Sequence, residues 1–270
     1  MKGSIGGTLR LAVAALSLLW LSGAVAESAR IAIVIDDLGY LAVNDREVLT
    51  LDPRIAVAII PDGPLAPALS RKAARQQRDV LIHLPLSGLD HDNCEFEATC
   101  VDPDWSPLRM AGHLRWAAQR VEQASGINNH QGSRVTADGE AVRRLVTGIS
   151  LLGRLHEIDL FVLDSRTTAK SRFERKASEA GLLTARRHVF LDHDPSPQAI
   201  EMAWEQLLDR ARRRGYAIAI GHPYPETIEF LGRAVPELAT DDVELVPLRQ
   251  LLKSPIRRGT GDARRPLIQP

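Results

Sequence analysis

Two adjacent carboxylates, Asp36 and Asp37, end the apolar run in the stretch IAIVIDDLGY. Like charges side by side at the end of a buried strand have two readings: a solvated turn, or a site where a metal or a proton is handled. Other apolar runs end in a similar way. DVLIHL carries His83, GINNHQGS presents His130, LFVLD ends in Asp164, VFLD ends in Asp192 followed by His193, and AIAIGHP ends in His222. For any one of these a capping or solvated polar residue is as good an explanation, and His83 reads equally as a satisfied core histidine. For the set, chance is a poor explanation, because two strong metal-ligand types recur at equivalent ends. One carboxylate with neutral imidazoles is a ligand set suited to zinc or a related divalent ion with open positions. The ion would acidify water and polarise a carbonyl. A second carboxylate could then act as general base, and a histidine across the site could protonate a leaving amine.

Strand ends matter because parallel α/β folds gather their functional groups at the C-terminal ends of strands. RIAIVI, RIAVAII, DVLIHL, IDLFVL, HVFL and YAIAIG read as short buried strands. Between them lie LAPALSRKAARQ, MAGHLRWAAQRVEQA, GEAVRRLVTGISLLGRLHE and SPQAIEMAWEQLLDRARRR, all with apolar residues at helical spacing. Asp138 is a candidate N-cap, Ser196 and Pro197 suit a helix start, and Gly215 suits a helix end. PETIEFLGRA repeats the pattern behind Pro225, while the segment beginning at Gly126 reads as a loop. This alternation, with no Gly/Ser-rich linker and no internal repeat, predicts a parallel sheet, open or closed into a barrel. Residues 87–107, rich in Asp, Pro, Cys and Trp, read as a long excursion near the site.

Bulk composition narrows the function classes. A chain of 270 residues that is 44% hydrophobic and 25% charged is globular rather than disordered or fibrous. Lys plus Arg equals Asp plus Glu at 34 each, so no net charge argues for nucleic acid or an anionic membrane as partner. Lys2 and Arg10, the apolar LAVAALSLLWLSG and the small residues Ala24-Val25-Ala26 fit a signal peptide over residues 1–26. The run is short for an uncleaved anchor, which needs about 20 apolar residues. The expectation is export to the periplasm or beyond, with no stable membrane insertion after cleavage. In that oxidising compartment Cys94 and Cys100 are a candidate disulfide; two reduced thiols are the plainer alternative, and a zinc site made of these two alone lacks ligands. The domain is expected over residues 27–253, with a basic, Pro/Gly-rich and disordered tail over 254–270.

Taken in order, IVIDDLGY, LIHLPL, GINNHQGS, FVLDSRTT, VFLD and AIAIGHPYPET closely resemble the divergent polysaccharide deacetylases of bacteria, over nearly all of residues 30–250. That group resembles a remote branch of the NodB-type carbohydrate esterases. The resemblance implies a distorted (β/α) barrel of the NodB/polysaccharide deacetylase type. It also implies metal-dependent removal of N- or O-acetyl groups from an envelope polysaccharide or amino sugar, with zinc or another divalent metal as cofactor and a glycan as substrate. By the same resemblance Asp36 matches the catalytic base, Asp37 a metal-binding aspartate, His130 a metal-binding histidine and His222 the catalytic histidine that assists the leaving group. The typical pattern has two histidines four apart; this chain has no histidine at 126 or 134, and His83 is expected to fill the gap from the third strand. Asp164 and Arg166 are expected to orient or support the site. The plainer reading of Asn128 and Asn129 is that they shape a turn. A rearranged ligand set leaves a second expectation, a catalytically degenerate envelope protein that binds glycan or a protein partner. Aromatic content of 4% argues against a long stacked groove, although Trp105, Trp116 and Tyr224 could line a short one.

Overall fold

A run that is apolar at consecutive positions suits a strand buried on both faces, and the sheet is built from such runs. The computed structural model describes residues 28–89, 99–240 and 242–255, with the side chain of His156 left out. The expected signal peptide, Cys94 and nearly all of the expected tail therefore lie outside the described residues. In chain order the elements are β1 (Ala29–Leu38), α1 (Ala42–Val48), β2 (Ala56–Ile59), α2 (Ala66–Arg75), β3 (Val80–Leu86) and α3 (Pro107–Arg120). There follow β4 (Gly126–Gln131), α4 (Ser133–Ala137), α5 (Gly139–His156), β5 (Phe161–Asp164), α6 (Phe173–Glu179) and β6 (Thr184–Arg186). The chain continues through β7 (Val189–Phe190), α7 (Pro197–Arg214), β8 (Tyr216–Gly221), α8 (Pro225–Glu237) and β9 (Val243–Leu245).

Every ladder between these strands is parallel, in the order β6-β5-β4-β3-β2-β1-β8-β7, with β9 also pairing β1. β6 and β7, neighbours in sequence, stand at the two ends of this path. The sheet thus curls into the expected distorted (β/α) barrel. Alternation along each strand divides the core into two layers. Ile33, Ile35, Ile82, Ile127 and Val162 face the helices and pack with Leu114, Leu145, Phe173 and Trp204. Ala32, Val34, Ala58, Leu81, Leu163 and Ile220 face inward, where small residues relieve crowding, and Val246, Leu248 and Leu251 from the chain after β9 join them.

Helix ends follow their caps. Ser106 accepts from the backbone N–H of Arg109 to start α3, ahead of where the periodic pattern begins, and Pro107 sits in its first turn. Asp138 caps α5 by accepting from Glu140 and Ala141, and Gly215 ends α7 in the left-handed region. The excursion after β3 returns to it: Ser87 N–H donates to Val101 O and Val101 N–H to Pro85 O, each at 2.9 Å. Cys100, at this return point, is disulfide-bonded. The largest difference from the sequence reading is GINNHQ, which is not a loop. It is β4, paired with β3 from Gly126 to Gln131 and with β5 from Gly126 to Asn128. Asparagine is depleted in strands; here tertiary contacts of the side-chain amides outweigh that preference. Among the described residues no helix is long and apolar enough to cross a membrane.

Candidate metal centre

Strand parity decides which strand-end groups share the inner face. Ala32 and Val34 point inward, so Asp36 does too; Leu81 leads to His83, and Ile218 and Ile220 lead to His222. Asp37 should point the other way. It does not, because β1 slips register against β2 between Ile35 and Leu38 and Asp37 takes φ 60°. This bulge turns the second carboxylate back to the inner face. Both acids then reach one imidazole, with Asp37 Oδ1 3.0 Å and Asp36 Oδ2 3.7 Å from His83 Nε2. Aspartate is among the few non-glycine residues that visit the left-handed region readily. The turn that follows is braced from outside: Gly39 N–H donates to the buried Asp45 carboxylate at 3.0 Å, and Gly39 O accepts from Leu65 N–H.

Three donor atoms converge at the inner end of β1, β3 and β4. Asp37 Oδ1, His83 Nε2 and His130 Nδ1 form a triangle with edges of 3.0, 2.8 and 3.2 Å. Ligands bound about 2.0–2.1 Å from a tetrahedral zinc lie roughly 3.3 Å apart, and octahedral ligands lie slightly closer. The triangle therefore fits one divalent ion. Protonation points the same way. Asn128 Nδ2 donates to Asp36 Oδ1 at 2.8 Å and faces Ser165 Oγ at 3.2 Å, which leaves Asn128 Oδ1 to accept from His83 Nδ1 at 2.8 Å. His83 thus carries its hydrogen on Nδ1 and presents a lone pair at Nε2. Lone pairs this close repel unless a cation lies among them. Burial acts to raise the Asp37 carboxyl, but the His130 and His83 rings against it overcome this and hold the group well below the usual carboxylate range.

Two further groups are placed to move protons. Asp36 is buried, and that burial raises its carboxyl above the ordinary value against the opposing charges of His83 and His222. His222 is anchored by Asp192, whose Oδ1 lies 2.8 Å from His222 Nδ1 and whose Oδ2 accepts from the His222 backbone N–H at 2.6 Å and from Thr227 Oγ1 at 2.7 Å. His222 Nε2 is left facing Asp37 Oδ2 at 3.7 Å. Burial opposes protonation of His222; the Asp192 hydrogen bond and the charges of Asp37, Asp192 and Asp36 outweigh it, so its pKa is raised.

These five groups share one pocket of about 470 Å³, whose walls also include Arg166, Arg187 and Phe190. Asp164 does not line this pocket but stands behind Arg166, which does. Parity turns it outward from Leu163, and its carboxylate accepts from Arg166 N–H at 2.9 Å, Ser171 Oγ at 2.7 Å and Glu174 N–H at 3.2 Å. The structure adds three residues that the sequence reading did not place in the site. Asn128 had been read as a turn former, Asp192 was one strand-end acid among several, and nothing in the pattern ARRHVF separates Arg187 from its neighbours.

The sequence profile of the divergent polysaccharide deacetylases matches residues 33–252. The uncharacterized protein YibQ of Escherichia coli is 35% identical over 226 residues, covering 84% of this chain and 68% of that protein. Among solved structures, an uncharacterized protein from Agrobacterium tumefaciens superposes with a TM-score of 0.77 at 21% identity, over 84% of this chain and 90% of its own. A mutant CE4 family pseudoenzyme with restored enzymatic activity superposes with a TM-score of 0.51 at 13% identity, over 84% of this chain and 68% of its own. Identities this low speak for the fold alone. The profile match is of another kind, since it runs unbroken from β1 past β9 and takes in every group of the site. This chain belongs to the divergent polysaccharide deacetylase family.

Proposed function

We propose that the protein is a metal-dependent deacetylase of an acetylated amino sugar or polysaccharide of the cell envelope, acting after export. The observation that carries this reading is the donor triangle of Asp37, His83 and His130 set beside a buried carboxylate and an anchored histidine. Those three residues would hold a divalent ion, zinc by the chemistry of the donor set. When bound, the ion supplies a Lewis acid that polarises the acetyl carbonyl.

The chain's own groups do the rest. Asp36 Oδ1 is engaged by Asn128, so Oδ2 is the atom that takes a proton from water as the water oxygen attacks the acetyl carbon. His222 donates from Nε2 to the sugar nitrogen or oxygen as its bond to the acetyl carbon breaks, and Asp192 keeps Nδ1 protonated and the ring oriented. Acetate and a free amine or hydroxyl result.

Acetate release from N-acetylglucosamine oligomers and from isolated envelope glycan, with and without zinc, tests the reading. Asp36→Asn is expected to keep its zinc and lose about 10²–10⁴-fold in turnover. Acetate release by Asp36→Asn at the wild-type rate would contradict the assignment. Zinc-loaded protein that binds glycan and releases no acetate would favour a glycan-binding envelope protein instead.

A further inference from the structure

Arg166 follows β5 by two residues and takes φ 52°, a backbone state that is sterically costly for a residue with a Cβ. Both of its peptide groups are held by charged side chains. Asp164, buried behind it, accepts from Arg166 N–H at 2.9 Å. Arg187 donates from Nη2 to Arg166 O at 2.9 Å and from Nε to Ser165 O at 2.6 Å, with its guanidinium carbon 4.8 Å from the Phe190 ring centre. The guanidinium of Arg166 itself has no hydrogen bond or ion pair among the described residues, and it lines the same pocket as the donor triangle. An unpaired arginine at a surface is ordinary. An unpaired arginine whose strained backbone is clamped by two charged side chains, at the wall of a candidate active site, calls for a ligand.

Charge gives the ligand its sign. With a divalent ion in the triangle, Asp36 and Asp37 are balanced by that ion, and Arg166 and Arg187 leave the pocket cationic. A guanidinium presents a planar fork of donors that matches a carboxylate or a phosphate. We propose that Arg166 is a specificity-determining residue that recognises an anionic oxygen group, carboxylate or phosphate, on the acetylated sugar. This rests on the deacetylase reading for its sugar and not for its charge. Asp164 and Arg187 act as positioning residues: they fix where the Arg166 side chain leaves the backbone. The neutral half of the substrate is left to the metal and the proton-transfer groups.

The test is calorimetric binding of three probes to zinc-loaded protein, which needs no turnover: N-acetylglucosamine disaccharide, its analogue carrying a lactyl carboxylate, and N-acetylglucosamine 6-phosphate. Wild-type protein is expected to bind at least one acidic probe roughly tenfold more tightly than the neutral one, with the preference falling as salt rises. The better acidic probe names the source of the anion. Arg166→Gln is expected to reduce the acidic-over-neutral ratio to near one, and Arg166→Lys to retain part of it; zinc content of each variant reports that the site has folded. Equal binding of all three probes by wild-type protein, or an undiminished ratio in Arg166→Gln, would overturn the proposal. Preserved acidic preference without any acetate release would instead count against the deacetylase reading and leave this one standing.

Discussion

Asn128 joins the two halves of the candidate site through one amide, accepting from His83 Nδ1 and donating to Asp36 Oδ1, both at 2.8 Å. Its removal should loosen the orientation and tautomer of a metal-holding histidine, an effect that typically weakens metal affinity 10–100-fold. Asn128→Ala is therefore expected to fall in that range when zinc affinity is measured by competition with a chelator; unaltered affinity would show that packing alone orients His83. Asp192 plays the matching part for His222. Burial works against the imidazolium, and the Asp192 hydrogen bond, with the charges of Asp37, Asp192 and Asp36, raises its pKa. If His222 acts as a general acid it must be protonated, so its activity is lost as pH rises through that pKa. Asp192→Asn should move the alkaline limb of the kcat/KM profile to lower pH. A limb that stays in place would remove His222 from that role.

At the scale of the element, the β1 bulge is what makes an adjacent pair of acids usable. Gly63 is packed so tightly under this turn that a Cβ there would lie 2.6 Å from Gly39 O, a backbone atom that cannot swing aside. Gly63→Ala should cost roughly 1–3 kcal/mol in a denaturant melt and weaken zinc binding by shifting Asp37. A variant with wild-type stability would show the turn to be pliable. Strand ends β1, β4 and β5 each lead into a non-glycine residue at positive φ, namely Asp37, Gln131 and Arg166. At Arg166 the side chain makes no hydrogen bond or ion pair among the described residues, so Arg166→Gly is expected to gain about 0.5–1 kcal/mol of stability while losing the anionic recognition. The sequence carried the strand-end rule, and with it Asp36, His83, His130 and His222 as candidates. It did not carry the bulge, because register slippage is a property of two strands and leaves no mark on one. It also misdirected the reading of GINNHQ, where two asparagines look like a turn until β3 supplies His83 and β1 supplies Asp36 as partners for one of their amides. For Asp164, counting parity from Leu163 would have been enough to set it behind the sheet.

Across the whole molecule, two half-buried histidines outside the site couple stability to acid. Burial, followed by the charge of Arg109, pushes His113 down to about 4, and burial with the charges of Arg210 and Arg186 does the same for His188, also to about 4. His188 Nδ1 accepts from Ile218 N–H at 3.0 Å, a bond that protonation would break. In the unfolded chain both groups return towards the ordinary value of 6.5, so the unfolded state binds the extra protons. Their contribution is complete above pH 6.5 and is lost as pH falls from there towards 4. Thermal melts should show Tm declining over that window, with a shallower decline in His188→Gln; identical slopes would exclude His188 as a source. The alternation of strand and helix made the barrel legible from the sequence, because each apolar run had to be covered on both faces. The short strands β6 and β9 were not legible, being three residues each and defined only by their neighbours.

All of the chemistry assigned to this fold depends on the triangle of Asp37, His83 and His130 holding an ion. Zinc titration of the purified protein, followed by metal analysis after dialysis, tests this most directly. The account predicts one zinc per chain, lost in Asp37→Ala and in His83→Ala while both variants keep the wild-type circular dichroism spectrum. Wild-type protein that retains no divalent ion, or a His83→Ala variant that retains it undiminished, would contradict the account.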